Sequence, residues 1–287
     1  MKKVLSLIIA GIVATAANAE EYKFEVGGDY GQFKNDKSNA KVDSYSANGK
    51  FFFEGLDASK GPRKEAEFLS KASNIRMSFH KISPETDVLK DLNKYSLGAT
   101  YHFRAPFFAE LDITYMKNTD LGIGQVLDDK VEVNSRSYRL GGGYYINKDW
   151  SVYGDVTQID HQLRNVKGSI EDQTNWTIGT KIVKPTAANQ WIAVKSEYTS
   201  LDLDGKDAHD NSLLVAADYF FNRDLSVGAS LKGLGKNVFS TEDKIMSLNA
   251  SYYVVPQVAL TASYTKTSME NDAADSDGFG LGVRARF

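Results

Sequence analysis

The residues best suited to proton-transfer chemistry in this sequence are four histidines, His80, His102, His161 and His209, since imidazole titrates near neutral pH. Asp160 directly precedes His161, and the two could be read as an acid–base pair. Adjacent residues of a strand point to opposite faces, however, which speaks against a working pair. The chain has no cysteine, which excludes thiol catalysis and thiolate metal sites. We therefore expect no enzyme activity, no cofactor and no metal.

Two other patterns resemble ligand sites. The glycines of 278–282 and 141–143 resemble phosphate-binding loops, but they lie inside strand patterns rather than between a strand and a helix. They are better explained as positions where a strand bends or where its inner face carries no side chain. The four aspartates of 201–210 lack the spacing of an EF-hand, which favours an acidic solvated loop over a Ca²⁺ site.

The largest set of chemistry-bearing residues is a series of charged and polar side chains that recur at every second position. We predict that these side chains face inward and line a pore: Lys50, Arg76, His102, Arg104, Glu110, Asp112, Arg139, Tyr153, Asp155, Lys181, Lys195, Glu197, Asp218, Lys232, Arg284 and Arg286. Charges of both signs can pair across neighbouring strands or bias which ions pass. Glu110 and Asp112 lie on a strand next to those carrying the arginines, which suggests a transverse field set up with Arg76, Arg104 and Arg139.

The elements that must position these residues are strands with a period of two. At the end of the chain, Phe279, Leu281, Val283 and Ala285 alternate with glycine and arginine up to Phe287. A soluble sheet would need a second layer over this apolar face, whereas a barrel in a bilayer needs none. The same alternation recurs from residue 21 onward and predicts about fourteen strands. The mean hydropathy of −0.37 is compatible with such a barrel, because polar inward residues alternate with apolar outward ones.

The connections between these strands fall into two classes. Tight turns are predicted near Arg104, Asn147, Pro185, Asn222 and Pro256, and longer polar loops near 34–42, 81–93, 117–130, 163–173, 202–210, 233–243 and 267–276. This alternation is typical of an up-and-down transmembrane barrel with short periplasmic turns, long external loops and both termini in the periplasm. One connection departs from this alternation: 55–69 should be a tight turn and is longer. Its sequence is compatible with a turn, a helix or a strand. We expect a single barrel without a plug.

The amino terminus has the features of an export signal. Lys2 and Lys3 precede a short apolar run, and Ala17-Asn18-Ala19 fits a small-residue cleavage site. We predict that 1–19 is a signal peptide removed after export through the general secretory route, leaving 20–287 as one barrel domain. The mature chain has 32 basic and 37 acidic residues, a net charge of −5. That acidic excess argues against a nucleic-acid partner.

Aromatic residues concentrate towards both ends of the predicted outward faces. Trp150, Trp191, Phe107 and Tyr144 lie near the tight turns, and Tyr95, Tyr115 and Trp176 lie near the long loops. Two such girdles are expected where amphipathic rings meet the two membrane interfaces. The alternative is the general preference of aromatic residues for strands.

The whole mature chain resembles the general porins of marine and related gammaproteobacteria, a family of Gram-negative outer-membrane β-barrel porins. The resemblance rests on Tyr22–Tyr30 (YKFEVGGDY), on 60–69 (KGPRKEAEFL), on Trp150–Val156 (WSVYGDV) and on the terminal Phe287. It implies passive diffusion of small hydrophilic solutes and ions across the outer membrane. The closing strand also resembles the signal read by the barrel-assembly machinery. Trimeric general porins fold a long third loop into the pore; here the third connection, 117–130, is short, so a loop-built constriction and the oligomeric state stay open.

The alternative is a closed outer-membrane barrel with a structural or surface-recognition role. Phe52, Phe108, Leu214 and Phe220 fall on nominally inward faces, where they would either fill the pore or lie near its rim. Fourteen strands lie between the eight-stranded barrels that are filled by side chains and the larger ones that hold an aqueous channel. An outer-membrane hydrolase is the least favoured reading. The expected partners are outer-membrane lipid, lipopolysaccharide, the assembly machinery and small solutes.

Overall fold

The computed structural model describes residues 21–85, 91–119, 132–164, 172–203, 209–235, 243–269 and 275–287. The predicted signal peptide and most of the long predicted loops, including 120–131, lie outside these ranges. Among the described residues, no helix is long and apolar enough to cross a membrane.

Fourteen antiparallel strands form a closed barrel, as predicted. They are β1 (Glu21–Asn35), β2 (Lys41–Asp57), β3 (Asn74–Pro84), β4 (Leu92–His102), β5 (Phe107–Thr119), β6 (Glu132–Asn147), β7 (Trp150–Arg164), β8 (Gln173–Ala187), β9 (Gln190–Leu203), β10 (His209–Phe220), β11 (Leu225–Leu234), β12 (Lys244–Val255), β13 (Val258–Ser268) and β14 (Ser276–Arg286). Each strand pairs with its neighbours in sequence, and β1 pairs with β14 to close the sheet. Closure leaves no strand edge unpaired.

The outer surface of the barrel is apolar, as the alternation predicts. Leu140 is 68% exposed and Met77 63%, and both lie in the middle of their strands. No soluble protein layer covers these side chains within the described residues, so the apolar surface matches a bilayer. Aromatic side chains are exposed at both ends of this surface, among them Phe103, Phe107, Phe221 and Tyr252 at the turn end and Tyr45, Tyr95, Trp176 and Tyr264 at the other.

The alternation of 22–30 predicts that Tyr22 faces outward, and the girdle assignment predicts the same of Trp191, but both side chains lie inside. A bulge in β1 between Tyr22 and Phe24 reverses the facing of Tyr22, which is 1% exposed and donates a hydrogen bond to the carbonyl of Pro256. Trp191 is opposite inward-facing Phe220 in the β9–β10 ladder and packs in the same cluster. The girdle assignment of Trp191 is therefore wrong, because its position in the alternation is that of an inward residue.

The connection between β2 and β3 folds into the barrel, which corrects the expectation of a barrel without a plug. We call residues 58–73 the inner segment. It contains a 3₁₀ turn (Arg63–Glu65) and one short helix, α1 (Ala66–Ser70), which ends at Lys71 in the left-handed conformation. Its apolar residues are buried at the turn end of the barrel, where Ala58, Ala66 and Ala72 form a cluster with Tyr22, Phe52 and Leu56.

Ion pairs and hydrogen bonds connect the inner segment to strands around the barrel. The ammonium of Lys64 donates to Asp218 on β10 at 2.6 Å and to Asn249 on β12 at 3.1 Å. Lys181 on β8 pairs with Glu65 at 2.6 Å. Arg286 on β14 donates to the carbonyl of Arg63 at 2.7 Å. A segment with partners on β8, β10, β12 and β14 crosses the interior rather than lying at its edge.

Candidate functional site

The interior above the inner segment holds a cavity of about 410 Å³ whose lining is dominated by charge. Its side chains include Lys50, Lys64, Glu65, Glu67, Arg76, His102, Glu110, Arg139, Tyr153, Lys181, Lys195 and Glu197. An adjoining cavity of about 280 Å³ shares Lys50 and Arg76 and adds Glu25, Asp112 and Arg284. Eleven of the sixteen predicted residues line one of these two cavities.

One wall of this interior carries a ladder of ion pairs across β3 to β7. The guanidinium of Arg76 donates to both carboxylate oxygens of Asp112, at 2.7 and 2.8 Å. Arg139 donates to Asp112 at 2.9 Å and to Asp155 at 3.0 Å, and it also pairs with Glu110 at 2.9 Å. The arginines and carboxylates thus pair along a single wall. The transverse field suggested from the sequence stays a prediction, for which this wall brings together Arg76 and Arg139 with Glu110 and Asp112.

A glycine makes the first rung of this ladder possible. Gly98 on β4 lies in register between Arg76 on β3 and Asp112 on β5. A Cβ at this position would lie 1.9 Å from Oδ1 of Asp112 and 2.9 Å from Nε of Arg76. Arg76 therefore reaches across the bare backbone of β4 to a carboxylate two strands away.

The wall formed by β7 to β9 repeats this device. Gly179 on β8 lies between Tyr153 and Glu197, and a Cβ there would lie 2.6 Å from the tyrosine ring. The Tyr153 hydroxyl donates to Glu197 at 3.1 Å, and Lys195 pairs with the same carboxylate at 2.9 Å. Inward glycines thus let polar side chains lie flat along the wall, which keeps the lumen wider than side chains pointing at the axis would.

The inner segment supplies charged groups that the sequence analysis missed. Lys50 pairs with Glu67, and Lys181 pairs with Glu65. The signals available were the charges of 63–67 and the unexpected length of the connection around Gly61-Pro62. Neither says that a connecting segment turns inward, because that depends on partners on distant strands.

Four predicted residues lie within the barrel but line neither of these two cavities. Asp155 is held by Arg139, and Asp218 by Lys64. Arg286 forms a buried pair with Glu25 at 2.6 Å, with side chains 6% and 8% exposed. Lys232 is half-buried on β11, opposite Leu214 and Ile245, and lines neither cavity.

Arg104 is not part of the lumen wall, which corrects its predicted place. The β4–β5 ladder ends at His102 and Phe108, and the N–H of Phe103 bonds the carbonyl of Phe107 at 3.0 Å to close the turn. Pro106 has no N–H with which to extend the ladder. Arg104 therefore lies in the turn, exposed to solvent.

The histidines have neighbours suited to structural roles. His102 is hydrogen-bonded to the hydroxyl of Tyr145 at 3.2 Å and packs on Phe108. Nδ1 of His161 is 2.8 Å from the hydroxyl of Ser135, and Nε2 of His80 is 2.8 Å from that of Ser44. Within the described ranges, no carboxylate bonds the second ring nitrogen of either, and no group of three acidic or histidine side chains is arranged to hold a metal.

Comparisons with known proteins agree with this architecture. Omp33 of Acinetobacter baumannii has a similar structure, with a TM-score of 0.65 and 23% identity over 94% of this chain and 100% of that one. CdiB from the same organism is similar with a TM-score of 0.51 and 7% identity, over 92% of this chain and 60% of that one. At these identities the likeness concerns the fold alone. Among curated proteins, no sequence matches this chain significantly.

The sequence itself carries the family assignment. A family model described as "Putative general bacterial porin" matches residues 1–287, the full length given. The match confirms the predicted outer-membrane porin for passive diffusion, and it indicates a channel rather than an enzyme. With a closed fourteen-stranded barrel around a charged interior, the chain belongs to the family of general bacterial porins.

Proposed function

We propose that small hydrophilic solutes and ions cross this barrel along the ladder of ion pairs on β3–β7 and then pass the inner segment at the turn end. The observation that carries the proposal is the chemistry of the interior. The two cavities are lined mainly by ionised and hydroxyl side chains, and they lie within fourteen strands, a larger barrel than the eight-stranded ones that side chains fill completely. Polar walls of this kind hold water in the lumen and keep permeant ions hydrated.

We further propose that no catalysis takes place here. The Ser135–His161 and Ser44–His80 pairs both join neighbouring strands at 2.8 Å, through Nδ1 in one and Nε2 in the other, as expected of generic cross-strand hydrogen bonds. A nucleophilic serine needs a base that is itself oriented by a third group.

Orientation, export and partners complete the proposal. The tight turns and both termini would face the periplasm, with 1–19 removed during secretory export. The outward aromatic rings and apolar surface would contact outer-membrane lipid and lipopolysaccharide. The β14 strand ending at Phe287 would be read by the barrel-assembly machinery, and nucleic acid is not a partner. A mixed-sign interior with nearly balanced charge predicts weak ion selectivity.

The test is single-channel recording of the refolded 20–287 chain in planar bilayers, followed by reversal potentials in a salt gradient. We expect discrete conductance steps. Lys195→Gln should shift the reversal potential towards cation selectivity, and Glu197→Gln should shift it towards anion selectivity, because the two charges form one pair in the cavity wall. The control is Lys81→Gln, on the rim opposite the turns, which should change neither the conductance nor the reversal potential. A folded wild-type barrel without conductance would overturn the proposal.

One observation favours a second candidate, a closed barrel with a structural or surface-recognition role. The inner segment crosses the interior and is held by ion pairs on several strands. The same recordings separate the two readings. A closed barrel would stay silent until residues 58–73 are replaced by a short turn, whereas a porin conducts with the inner segment in place.

A further inference from the structure

A cavity of about 560 Å³ lies at the turn end of the barrel, beyond the inner segment and apart from the charged interior described above. Its walls come from three places. The end of α1 and the residues beside it contribute Leu69 and Lys71, the β6–β7 turn contributes Lys148, and the facing ends of β8 and β9 contribute Val183 and Trp191. The volume falls within the range of small-molecule sites.

The floor of this cavity is apolar and firmly packed. Val183 is 1% exposed and belongs to a buried cluster with Ala193 and Phe220, against which Leu69 and Trp191 pack. Pro185 lies in the same wall. Leu69 and the indole of Trp191 remain accessible from the cavity, so a ligand would meet an aliphatic and an aromatic surface.

The rim of the cavity is basic. Lys60, Lys71 and Lys148 line it, together with one carboxylate, Asp149. That carboxylate is already paired, because the ammonium of Lys184 lies 2.8 Å from it. In the described part of the chain no carboxylate lies within ion-pair distance of Lys71 or Lys148. Lys60 is paired with Asp57 at 3.5 Å, so Lys71 and Lys148 carry the positive charge of the rim that the described residues do not neutralise.

Lys71 is also held in place. Its ammonium lies 4.3 Å from the ring centroid of Tyr145, a cation–π contact that fixes the end of an otherwise flexible side chain. Its backbone adopts the left-handed conformation at the end of α1, with φ of 53°. An ammonium group positioned above an apolar floor is suited to an anion that carries an apolar body.

We infer that this cavity is a binding site for small organic anions with a flat apolar portion, of the class of aromatic carboxylates. The carboxylate would be bound by the ammonium groups of Lys71 and Lys148, and the ring would pack on Leu69 and Trp191. The inference does not depend on conduction, since the cavity is formed by the inner segment, the β6–β7 turn and the ends of β8 and β9, and not by the charged ladder.

The experiment uses Trp191 as its own reporter. The chain has three tryptophans, so a Trp150→Phe/Trp176→Phe barrel refolded in non-ionic detergent leaves Trp191 as the only one. We expect benzoate to quench its fluorescence saturably in the millimolar range. Benzyl alcohol, which has the ring without the charge, and inorganic phosphate, which has the charge without the ring, should each bind about tenfold more weakly or not at all.

Charge-removing variants provide the second arm. Lys71→Gln/Lys148→Gln should weaken benzoate binding by about tenfold, while Lys81→Gln on the opposite rim should not alter it. Migration of the folded barrel in unheated gels establishes that each variant is folded before titration. Equal quenching by benzoate and benzyl alcohol, or undiminished binding by the folded double variant, would overturn the inference. Loss of conductance in the bilayer assay with intact benzoate binding would count against the porin proposal alone.

Discussion

Arg286→Met should destabilise the barrel far more than Arg284→Met, which removes the other arginine of β14. The Arg286–Glu25 pair joins the strands that close the barrel, and its side chains are only 6% and 8% exposed. The Arg286 guanidinium also donates to the carbonyl of Arg63 at 2.7 Å and lies 5.3 Å from the ring centroid of Tyr253. Removing one partner of such a buried pair leaves the other charge unpaired, which costs about 3–5 kcal/mol.

The free energy of unfolding would be measured by urea titration of the barrel refolded in phospholipid, followed by tryptophan fluorescence. Arg284→Met is the matched control. It is the same substitution two residues earlier on the same face, at an exposed side chain that forms no ion pair with the residues the structure describes, and it should cost no more than about 0.5 kcal/mol. Adding Glu25→Gln to Arg286→Met should recover part of the loss, because no charge is then buried alone. An equal loss of unfolding free energy in Arg286→Met and Arg284→Met would refute the conclusion that the buried Arg286–Glu25 pair stabilises the closure of the barrel.

Three further predictions follow from the interior. Gly98→Ala should destabilise the barrel by about 1–3 kcal/mol in the same urea assay, because its Cβ would collide with Asp112, whereas Gly49→Ala meets only Met77 at 3.7 Å and should be close to neutral. Replacing residues 58–73 by a two-residue turn should raise single-channel conductance while the protein still migrates as a folded barrel, and an unchanged conductance would show that the inner segment does not narrow the path. Tyr153→Phe should lower stability by about 0.5–1.5 kcal/mol through loss of its hydrogen bond to Glu197, with little change in reversal potential because no charge is altered; a large shift in selectivity would contradict this.

The strand architecture could be predicted because it depends on a local period. Alternation determined the number of strands, and with it the pairing of Asp112 and Arg139 on neighbouring strands. Where a local irregularity breaks the period, the prediction fails: the bulge in β1 turns Tyr22 inward, and the turn ending at Phe107 leaves Arg104 outside. The bulge shifts the alternation by one residue and so reverses the face on which Tyr22 lies, whereas Arg104 lies in a turn beyond the end of its strand.

The inner segment could not be predicted for a different reason. Nothing local distinguishes a short helix that folds inward from one that lies on the rim. Its position depends on Asp218, Lys181 and Arg286, which lie more than a hundred residues away in sequence. The sequence identified the connection of 55–69 as anomalous, but its destination is a property of the closed barrel.

The hydrogen bond between Arg286 and the carbonyl of Arg63 has a consequence for the order in which the barrel folds. The two residues are separated by 223 positions, and Arg286 lies on β14, the strand that closes the barrel against β1. The inner segment begins in the first quarter of the sequence, yet its anchor on Arg286 exists only once β14 has paired with β1. Until β14 pairs with β1, the inner segment lacks its hydrogen bond from Arg286. Docking of the inner segment is therefore complete only when the barrel closes. Protection of the inner segment from solvent would report that closure.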